Sequence, residues 1–380
     1  MNIMNRLTDR FAKVQPLPVG VYHKQAMQDD RPYRVHLRLR ADGSGLLILN
    51  AATVLQLNAT AAEYAYHFIR GTQPDEAARQ IAARYRVSRV VAQQDYADFI
   101  DRIETLISTP DLDPVSFLDF ERAAPHSADL TAPLRLDCAL TYRLREDSHA
   151  EYAPAKRVDR ELTTDEWRTI LDKAWQAGIP HITFTGGEAT LREDLPELIA
   201  HAEKNDQVCG LLTDGLRLLD KEYLDVLLQT GLDHILFLIQ PFNQESWEAL
   251  ERVIAEDIFV TAHLTLSGDN IDRAEEILER LAASKVTSLS LTSADAVLSN
   301  TFGALRDQAA ALGLTLRFDL PVPYSEANPV SYEAQEDAVP EGAGKAWLYV
   351  EPDGDVLPAQ GRSESVLGNI LRDEWETIYT

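Results

Sequence analysis

Residues 181–188 read His-Ile-Thr-Phe-Thr-Gly-Gly-Glu and join a short apolar run to two glycines and a carboxylate. β-branched and aromatic residues in such a run favour a buried strand. Paired glycines form a tight turn or let a ligand approach the backbone closely, and a carboxylate stabilises the start of a helix. The stretch therefore predicts a strand that ends in a turn, with Gly186, Gly187 and Glu188 as candidate binding residues.

On both sides of this stretch, apolar runs alternate with amphipathic segments. Six such repeats predict an α/β fold, in which a parallel sheet is covered by helices. The apolar runs lie at 134–140, 181–185, 208–212, 234–239, 258–266 and 286–291. The amphipathic segments lie at 163–177, 193–203, 219–229, 244–254, 271–283 and 301–312.

The apolar strand that ends in Thr141-Tyr-Arg143, the segment Glu161-Leu-Thr-Thr-Asp-Glu-Trp167 and the run to Glu188 together resemble the radical S-adenosylmethionine (SAM) superfamily, in its peptide-modifying (PqqE-like/SPASM) branch. The resemblance implies an open six-stranded partial TIM barrel over residues 133–320, with its ligand site at the carboxyl ends of the strands. Members of the family place Cys-x3-Cys-x2-Cys after the first strand. Those thiolates hold a [4Fe-4S] cluster that leaves one iron open to SAM.

No sulfur stands at the positions of this chain that match the three cluster ligands. The whole sequence has two cysteines, Cys138 and Cys209, and both have apolar neighbours, which favours buried structural roles. We therefore expect no iron–sulfur cluster and no radical cleavage of SAM. The matching positions hold Leu144, Ser148 and Glu151.

Several residues that would contact SAM in the family keep their places, whereas others differ. The resemblance implies that Gly186, Gly187 and Glu188 would contact the SAM amino group. Leu238 and Gln240 stand where the family has Ser-x-Asp, and Ser267 replaces a basic residue. Two interpretations of these residues remain. In the favoured one, the glycines form a turn and Glu188 caps a helix; in the less favoured one, the residues still bind SAM. The remaining candidates are Asp214, at a position where the family commonly has asparagine, and Asn270, which matches a frequent asparagine.

Residues 1–108 predict a small α+β domain. Polar and apolar residues alternate along Arg34–Arg40, two further short strands follow, and three helical segments complete the domain. This order resembles the PqqD-like, winged-helix-like peptide-recognition domain, in which a leader peptide adds as a strand to a sheet edge. A structural domain without a ligand is the alternative. The candidate peptide-binding edge comprises Arg34, His36, Arg38, Leu46 and Ile48.

The remaining segments are a linker and a carboxyl-terminal extension. Residues 109–132 are rich in turn formers and predict a linker. Residues 321–380 include Trp347-Leu-Tyr-Val-Glu-Pro-Asp-Gly-Asp-Val-Leu-Pro-Ala359, which resembles the SPASM/twitch extension. In that family a cysteine after the proline binds an auxiliary cluster. Because Ala359 stands there, we expect a remnant without metal.

Composition limits the classes of partner. The net charge is -25; residues 1–110 carry 14 Lys plus Arg against 11 Asp plus Glu, or +3, which leaves about -28 for the rest. An acidic surface repels phosphate backbones, so we expect no nucleic-acid partner. No run of 18 apolar residues and no secretory signal pattern is present, so we expect no membrane partner and a cytoplasmic location.

Histidines offer a weaker metal hypothesis. His149 with Glu151, His181 and His263 could meet at the ends of the strands. Because His181 and His263 lie in apolar strands, buried positions with hydrogen-bond partners are the favoured interpretation.

The favoured function is a catalytically silent radical-SAM-like pseudoenzyme without cofactors. It would be a peptide-binding adaptor for an active radical SAM enzyme or another maturase of a ribosomally made, post-translationally modified peptide. The alternative is a cluster-independent enzyme that binds SAM or a small molecule at the barrel mouth and uses Glu188, Asp214 or His149. A third reading is a subunit that contacts a larger assembly through its acidic surface.

Overall fold

The chain was analysed as a computed structural model, which describes residues 17–28, 31–109, 112–118, 130–145, 157–293, 299–317, 342–360 and 365–379. It divides into two compact units, residues 1–123 and residues 124–380.

The first unit contains a four-stranded antiparallel sheet in the order β1-β2-β3-β4. The buried stretch of β2 lies between β1 and β3, and β1 and β4 form the two edges of the sheet. The strands are β1 (Gly20–Gln28), β2 (Arg31–Leu39), β3 (Gly45–Leu49) and β4 (Thr53–Leu57).

Helices follow the four strands and cover one face of the sheet. Side-chain oxygens of Asn58 and Ser88 accept hydrogen bonds from the first turns of two of these helices, as N-cap residues do. Val35, Leu37 and Phe68 lie in the core of this unit. The helices are α1 (Ala59–Ile69), α2 (Pro74–Arg84), α3 (Arg89–Ser108) and the short α4 (Pro114–Leu118).

The second unit is built on a ten-stranded, mostly parallel sheet in the order β11-β10-β9-β8-β7-β6-β5-β12-β13-β14. The parallel strands are β5 (Arg135–Thr141), β6 (His181–Gly186), β7 (Val208–Thr213), β8 (His234–Leu238), β9 (Phe259–Leu266), β10 (Ser288–Ser293), β11 (Thr315–Leu316) and β12 (Trp347–Val350). The antiparallel strands β13 (Asp355–Leu357) and β14 (Gly368–Asn369) complete the sheet.

A helix follows each of the strands β5 to β10, and one more short helix follows β14. Thr163 and Glu166 form a reciprocal capping box at the start of the first helix, which ends at Gly178 in the left-handed conformation. The helices are α5 (Thr164–Ala177), α6 (Leu195–Lys204), α7 (Lys221–Gln229), α8 (Gln244–Ile254), α9 (Ala274–Ala283), α10 (Ser299–Ala311) and α11 (Trp375–Ile378).

The two faces of the parallel sheet differ in chemistry. Alternate strand residues, such as Ile182 and Phe184, share a hydrophobic core with helix residues such as Trp167. The residues between them point to the opposite face, called the inner face below. Many of them are polar and buried, including Asp137, Thr183, Thr185, Thr261, His263, Thr265, Ser288, Ser290 and Thr292.

The predicted α/β class with a mostly parallel sheet is confirmed, since strands form at all six apolar runs. Strand β1 was not predicted. The sequence of Gly20–Gln28 lacks the alternation of polar and apolar residues that identifies a strand. In the structure its residues are half-buried or exposed throughout. No helix within the described ranges is long and apolar enough to span a membrane.

Candidate functional site

The loop after β6 is held against the chain's own backbone. The Gly187 N–H donates to the Thr141 carbonyl at 2.7 Å, and the Glu188 N–H donates to the Arg143 carbonyl at 2.8 Å. A Cβ atom at Gly186 would lie 2.2 Å from the Thr141 carbonyl oxygen, and one at Gly187 would lie 2.2 Å from that of Arg143. Both glycines are therefore required by close packing of this loop against the end of β5.

The Glu188 carboxylate is the centre of a buried hydrogen-bond network. Its Oε1 accepts from the Thr190 N–H at 3.0 Å, the Thr190 hydroxyl at 2.6 Å and the Thr213 hydroxyl at 2.8 Å. Its Oε2 accepts from the Asp214 N–H at 2.8 Å. All four partners are donors and Glu188 is 2% exposed, so the network fixes this side chain at the N-terminus of the 3-10 turn Ala189–Leu191.

Asp214 lies directly after β7 and is 7% exposed. Its Oδ1 accepts from the Leu216 N–H at 3.0 Å. Burial, followed by the negative charge of Glu188, raises the pKa of Asp214 to about 8, against the opposing effects of the Leu216 N–H and Arg145. Burial and the neighbouring charge therefore both favour the protonated form of Asp214. We call Gly186, Gly187, Glu188, Thr213 and Asp214 the carboxyl-edge site.

Asn270 has a different environment from these residues. Its Oδ1 accepts from the Ser267 N–H at 3.0 Å, and its Nδ2 donates to the Thr265 carbonyl at 2.8 Å. Both ends of the amide thus stabilise the turn after β9. Within the described residues no hydrogen bond links Asn270 to Glu188 or Asp214.

The thiols do not form a ligand set for an iron–sulfur cluster. Cys138 on β5 and Cys209 on β7 are fully buried among apolar side chains on the helix-facing side of the sheet. Burial, and then the charge of Asp137, raises the pKa of the Cys138 thiol well above its usual value. A [4Fe-4S] cluster requires three or four ligands, usually thiolates, and this sequence contains two cysteines. The residues present therefore do not fit such a cluster.

The two predicted cluster positions that the structure describes have no side-chain donor atom. Leu144 follows β5, and Ala359 is buried just after β13. Ser148 and Glu151, as well as His149, lie outside the described residues.

The predicted peptide-binding edge is wrong. Its candidates lie on β2 and β3, the two central strands of the first unit, and all of them are buried. His36, for example, is opposite His23 on one side and Ile48 on the other. Strand β1, which was not predicted, covers the edge of β2, and β3 lies between β2 and β4. Within the described residues, β1 and β4 are therefore the edges of this sheet. The displaced candidates are Arg34, His36, Arg38, Leu46 and Ile48.

Two of the histidines considered as metal ligands lie at separate places in the sheet. His181 begins β6 and its Nε2 lies 2.7 Å from the Nε2 of His234. His263 is in the middle of β9, and its ring nitrogens are within 3.1–3.2 Å of hydroxyl oxygens of Ser290, Thr265 and Thr292. In the described part of the chain, one trio of acidic residues is close enough to share a metal ion: Glu351, Asp353 and Asp355, which are paired with Arg157.

Replacing His263 with asparagine should change how stability depends on pH. Burial lowers the pKa of His263 to about 3, so below pH 6.5 the unfolded chain binds a proton that the folded chain does not. The wild type should therefore lose stability relative to His263→Asn as the pH falls. The expected relative loss is about 2 kcal/mol between pH 7 and pH 5. Urea unfolding of both proteins at the two pH values measures it, and a constant difference would contradict the assignment.

Known proteins resemble this chain in sequence and in fold. A family model for the radical SAM superfamily matches residues 138–293. PqqA peptide cyclase of Granulibacter bethesdensis is 38% identical over 95 residues, which span 25% of this chain and 25% of that protein. The aligned region therefore covers a quarter of the length of this curated relative.

Two solved structures share the fold over nearly the whole chain. Streptococcus suis SuiB bound to the precursor peptide SuiA has a TM-score of 0.61 and 14% identity, and the match covers 94% of this chain and 88% of that one. SuiB bound to SAM has a TM-score of 0.60 and 14% identity, with 91% and 87% covered. At this identity the likeness shows the fold alone.

These findings overturn two predictions. The catalytically silent adaptor is wrong, because the curated relative is an enzyme and no match indicates an adaptor. The prediction of no cofactor and no iron–sulfur cluster is also contradicted, because the matching family model is that of the radical SAM superfamily and SuiB, which has a similar fold, was solved with SAM bound. In this chain Cys138 and Cys209 remain the only thiols of the sequence. Residues 138–293 thus match the family model of the radical SAM superfamily, and 95 residues of the chain are similar to PqqA peptide cyclase.

Proposed function

We propose that this protein is an enzyme that binds SAM at the carboxyl-edge site and modifies a peptide by chemistry that uses polar side chains. The observation that carries the proposal is the buried Glu188 side chain, held by four donors at the carboxyl end of β6, inside the segment that matches the radical SAM superfamily. SuiB, which has the same fold, has been solved with SAM.

The carboxyl-edge site can accommodate a cation. Oε2 of Glu188 accepts from the Asp214 N–H, Oε1 accepts from three other donors, and the Asp214 side chain is hydrogen-bonded to the Glu188 side chain as well. An ammonium group such as that of SAM is a stronger partner for a carboxylate than a neutral carboxyl group, so it can take the place of the Asp214 side chain. SAM supplies electrophilic carbons beside its sulfonium. The protein's contribution is to bind the cationic end at Glu188 and to exchange a proton at Asp214.

A peptide substrate is proposed on separate grounds. The curated relative is a peptide cyclase, and SuiB was solved with a precursor peptide. Within the described residues β1 and β4 are the edges of the first unit's sheet, and an extended peptide can add to a sheet edge as a further strand. We propose that this unit is a PqqD-like recognition domain and that one of these edges binds the leader of the precursor.

The finer architecture belongs to the same proposal. The six strands β5–β10 would form the open partial barrel of the family over residues 133–320. Residues 321–380 would be a SPASM/twitch-like extension, with residues 109–132 as the linker that precedes the barrel. In support, β12 pairs in parallel with β5, and β13 and β14 continue from it.

Equilibrium dialysis with SAM tests the function. Glu188→Gln keeps the shape of the side chain and removes its charge, so SAM affinity should fall at least tenfold, as expected when a charge-assisted hydrogen bond worth about 1.5–3 kcal/mol is lost. The matched control is Glu197→Gln, an exposed glutamate on α6, which should bind SAM like the wild type. Equal SAM affinity in all three proteins, or no binding to the wild type, would contradict the proposal.

A further inference from the structure

Two carboxyl groups meet at the carboxyl-edge site. The main chain of Asp214 donates to Oε2 of Glu188, so the backbone fixes the two residues beside each other. Both side chains are buried, at 2% exposure for Glu188 and 7% for Asp214. Two buried negative charges at such close range repel strongly, and a proton on one of them relieves the repulsion.

Hydrogen bonding shows which carboxyl group takes the proton. Glu188 is surrounded by N–H and O–H donors, so a proton there would displace an existing hydrogen bond. One carboxyl oxygen of Asp214 accepts from the Leu216 N–H, and the Asp214 side chain is also hydrogen-bonded to the Glu188 side chain. A proton on Asp214 is therefore the one that this carboxyl group can donate to Glu188.

Several other titratable or charged groups face this pair. Arg145, after β5, lies close enough to favour the ionised form of Asp214, but its effect is smaller than that of Glu188. Tyr223 on α7 has its pKa raised, first by burial and also by the charge of Glu188. Arg217 is paired with Glu193 and stacks on the Tyr223 ring, so its charge is largely compensated. None of these groups neutralises both carboxyl groups.

A separate feature of this end of the sheet is a buried hydroxyl group that a polar ligand or a water molecule would complete. Thr185 is 1% exposed, and its hydroxyl has no hydrogen-bond partner within the described residues. It lies on the inner face, one residue before Gly186. Asp214 comes two residues after Leu212, which is on the same face of the neighbouring strand β7. A buried hydroxyl without a partner is costly unless a ligand or water completes it.

We propose that Asp214 holds one proton in the free protein and releases it to solvent when a cationic ligand such as SAM binds beside Glu188. The exchange balances: the neutral carboxyl group plus the cation gives a carboxylate paired with the cation and one free proton. This inference rests on the proposed function and adds to it the charge state of the site and its dependence on pH.

Proton release makes the affinity for SAM depend on pH. With the Asp214 pKa near 8, binding below that pH must displace a proton, so affinity should rise about tenfold per pH unit. Above pH 8 the Asp214 carboxyl group is already ionised, so this rise in affinity should end. The Asp214→Asn variant has no proton to release, so its SAM affinity should vary little with pH.

Two measurements test the inference on the full-length chain. Infrared difference spectra of the free protein at pH 7 should show the carbonyl band of a protonated carboxyl group that is lost in Asp214→Asn. Calorimetric titration with SAM in two buffers of different ionisation enthalpy should show about one proton released per SAM at pH 7. The matched control is Asp257→Asn, at an exposed aspartate after α8, which should keep both the band and the proton release.

The outcomes separate this inference from the proposed function. SAM binding without proton release, or absence of the carboxyl band, would overturn the inference and leave the proposed function standing. Failure of SAM to bind would overturn the proposed function, and the cation-driven release with it. Release of one proton by the wild type and none by Asp214→Asn supports both.

Discussion

Replacing Gly187 with alanine should destabilise the second unit by about 3 kcal/mol, toward the upper end of the cost of overpacking. The new Cβ atom would lie 2.2 Å from the carbonyl oxygen of Arg143 and 2.8 Å from the carbonyl carbon of Tyr142. Both are backbone atoms, and hydrogen bonds from Gly187 and Glu188 hold the two segments together, so neither can move without breaking the loop.

A second glycine provides the control for this substitution. Gly268, after β9, has no atom within 4 Å of the position of a Cβ, and its backbone angle is open to any residue. Gly268→Ala should therefore unfold at nearly the same urea concentration as the wild type. Equal stability of Gly187→Ala and Gly268→Ala would show that the loop after β6 does not pack as described.

Glu188→Ala is the other substitution with a large expected effect. It removes the acceptor of four hydrogen bonds, two of them from the neighbouring strand end at Thr213 and Asp214. Buried donors left without a partner cost about 1–3 kcal/mol each, so we expect a loss of about 3 kcal/mol or more in urea unfolding. It should also lower the pKa of Asp214, since the negative charge that repels it has gone.

Glu193→Ala is the matched control because Glu193 is close in sequence but 85% exposed in its pair with Arg217. Such surface pairs contribute about 0–1 kcal/mol. If both alanine variants were equally stable, the Glu188 network would not be structural, and its role in holding the carboxyl-edge site together would be refuted.

The parallel core could be predicted from sequence because its pattern is local. Each apolar run, such as 181–185, is long enough for one strand and is followed by an amphipathic helix, which leaves few topologies. The pair of glycines also indicated a close approach. The sequence alone did not say whether a ligand or the chain itself comes close to these glycines. In the structure, the backbone carbonyl groups of Thr141 and Arg143 lie against them.

Features that depend on distant contacts could not be predicted. The edge position of β1 depends on pairing with β2, and β1 itself has no clear alternation. The pKa of Asp214 depends on Glu188, 26 residues earlier, which only the adjacency of β6 and β7 brings near. His181 and His234 likewise meet across 53 residues. The sequence did mark Asp214 as a candidate site residue, because it comes directly after an apolar run that predicts a buried strand.

Hydrogen–deuterium exchange with and without SAM tests the central claim most directly, because it reports both binding and its location. We predict slower exchange of the amides in residues 186–191 and 214–217 when SAM is present, and no such change in Glu188→Gln. Protection confined to other segments, or none at saturating SAM, would contradict a SAM site at Glu188 and Asp214.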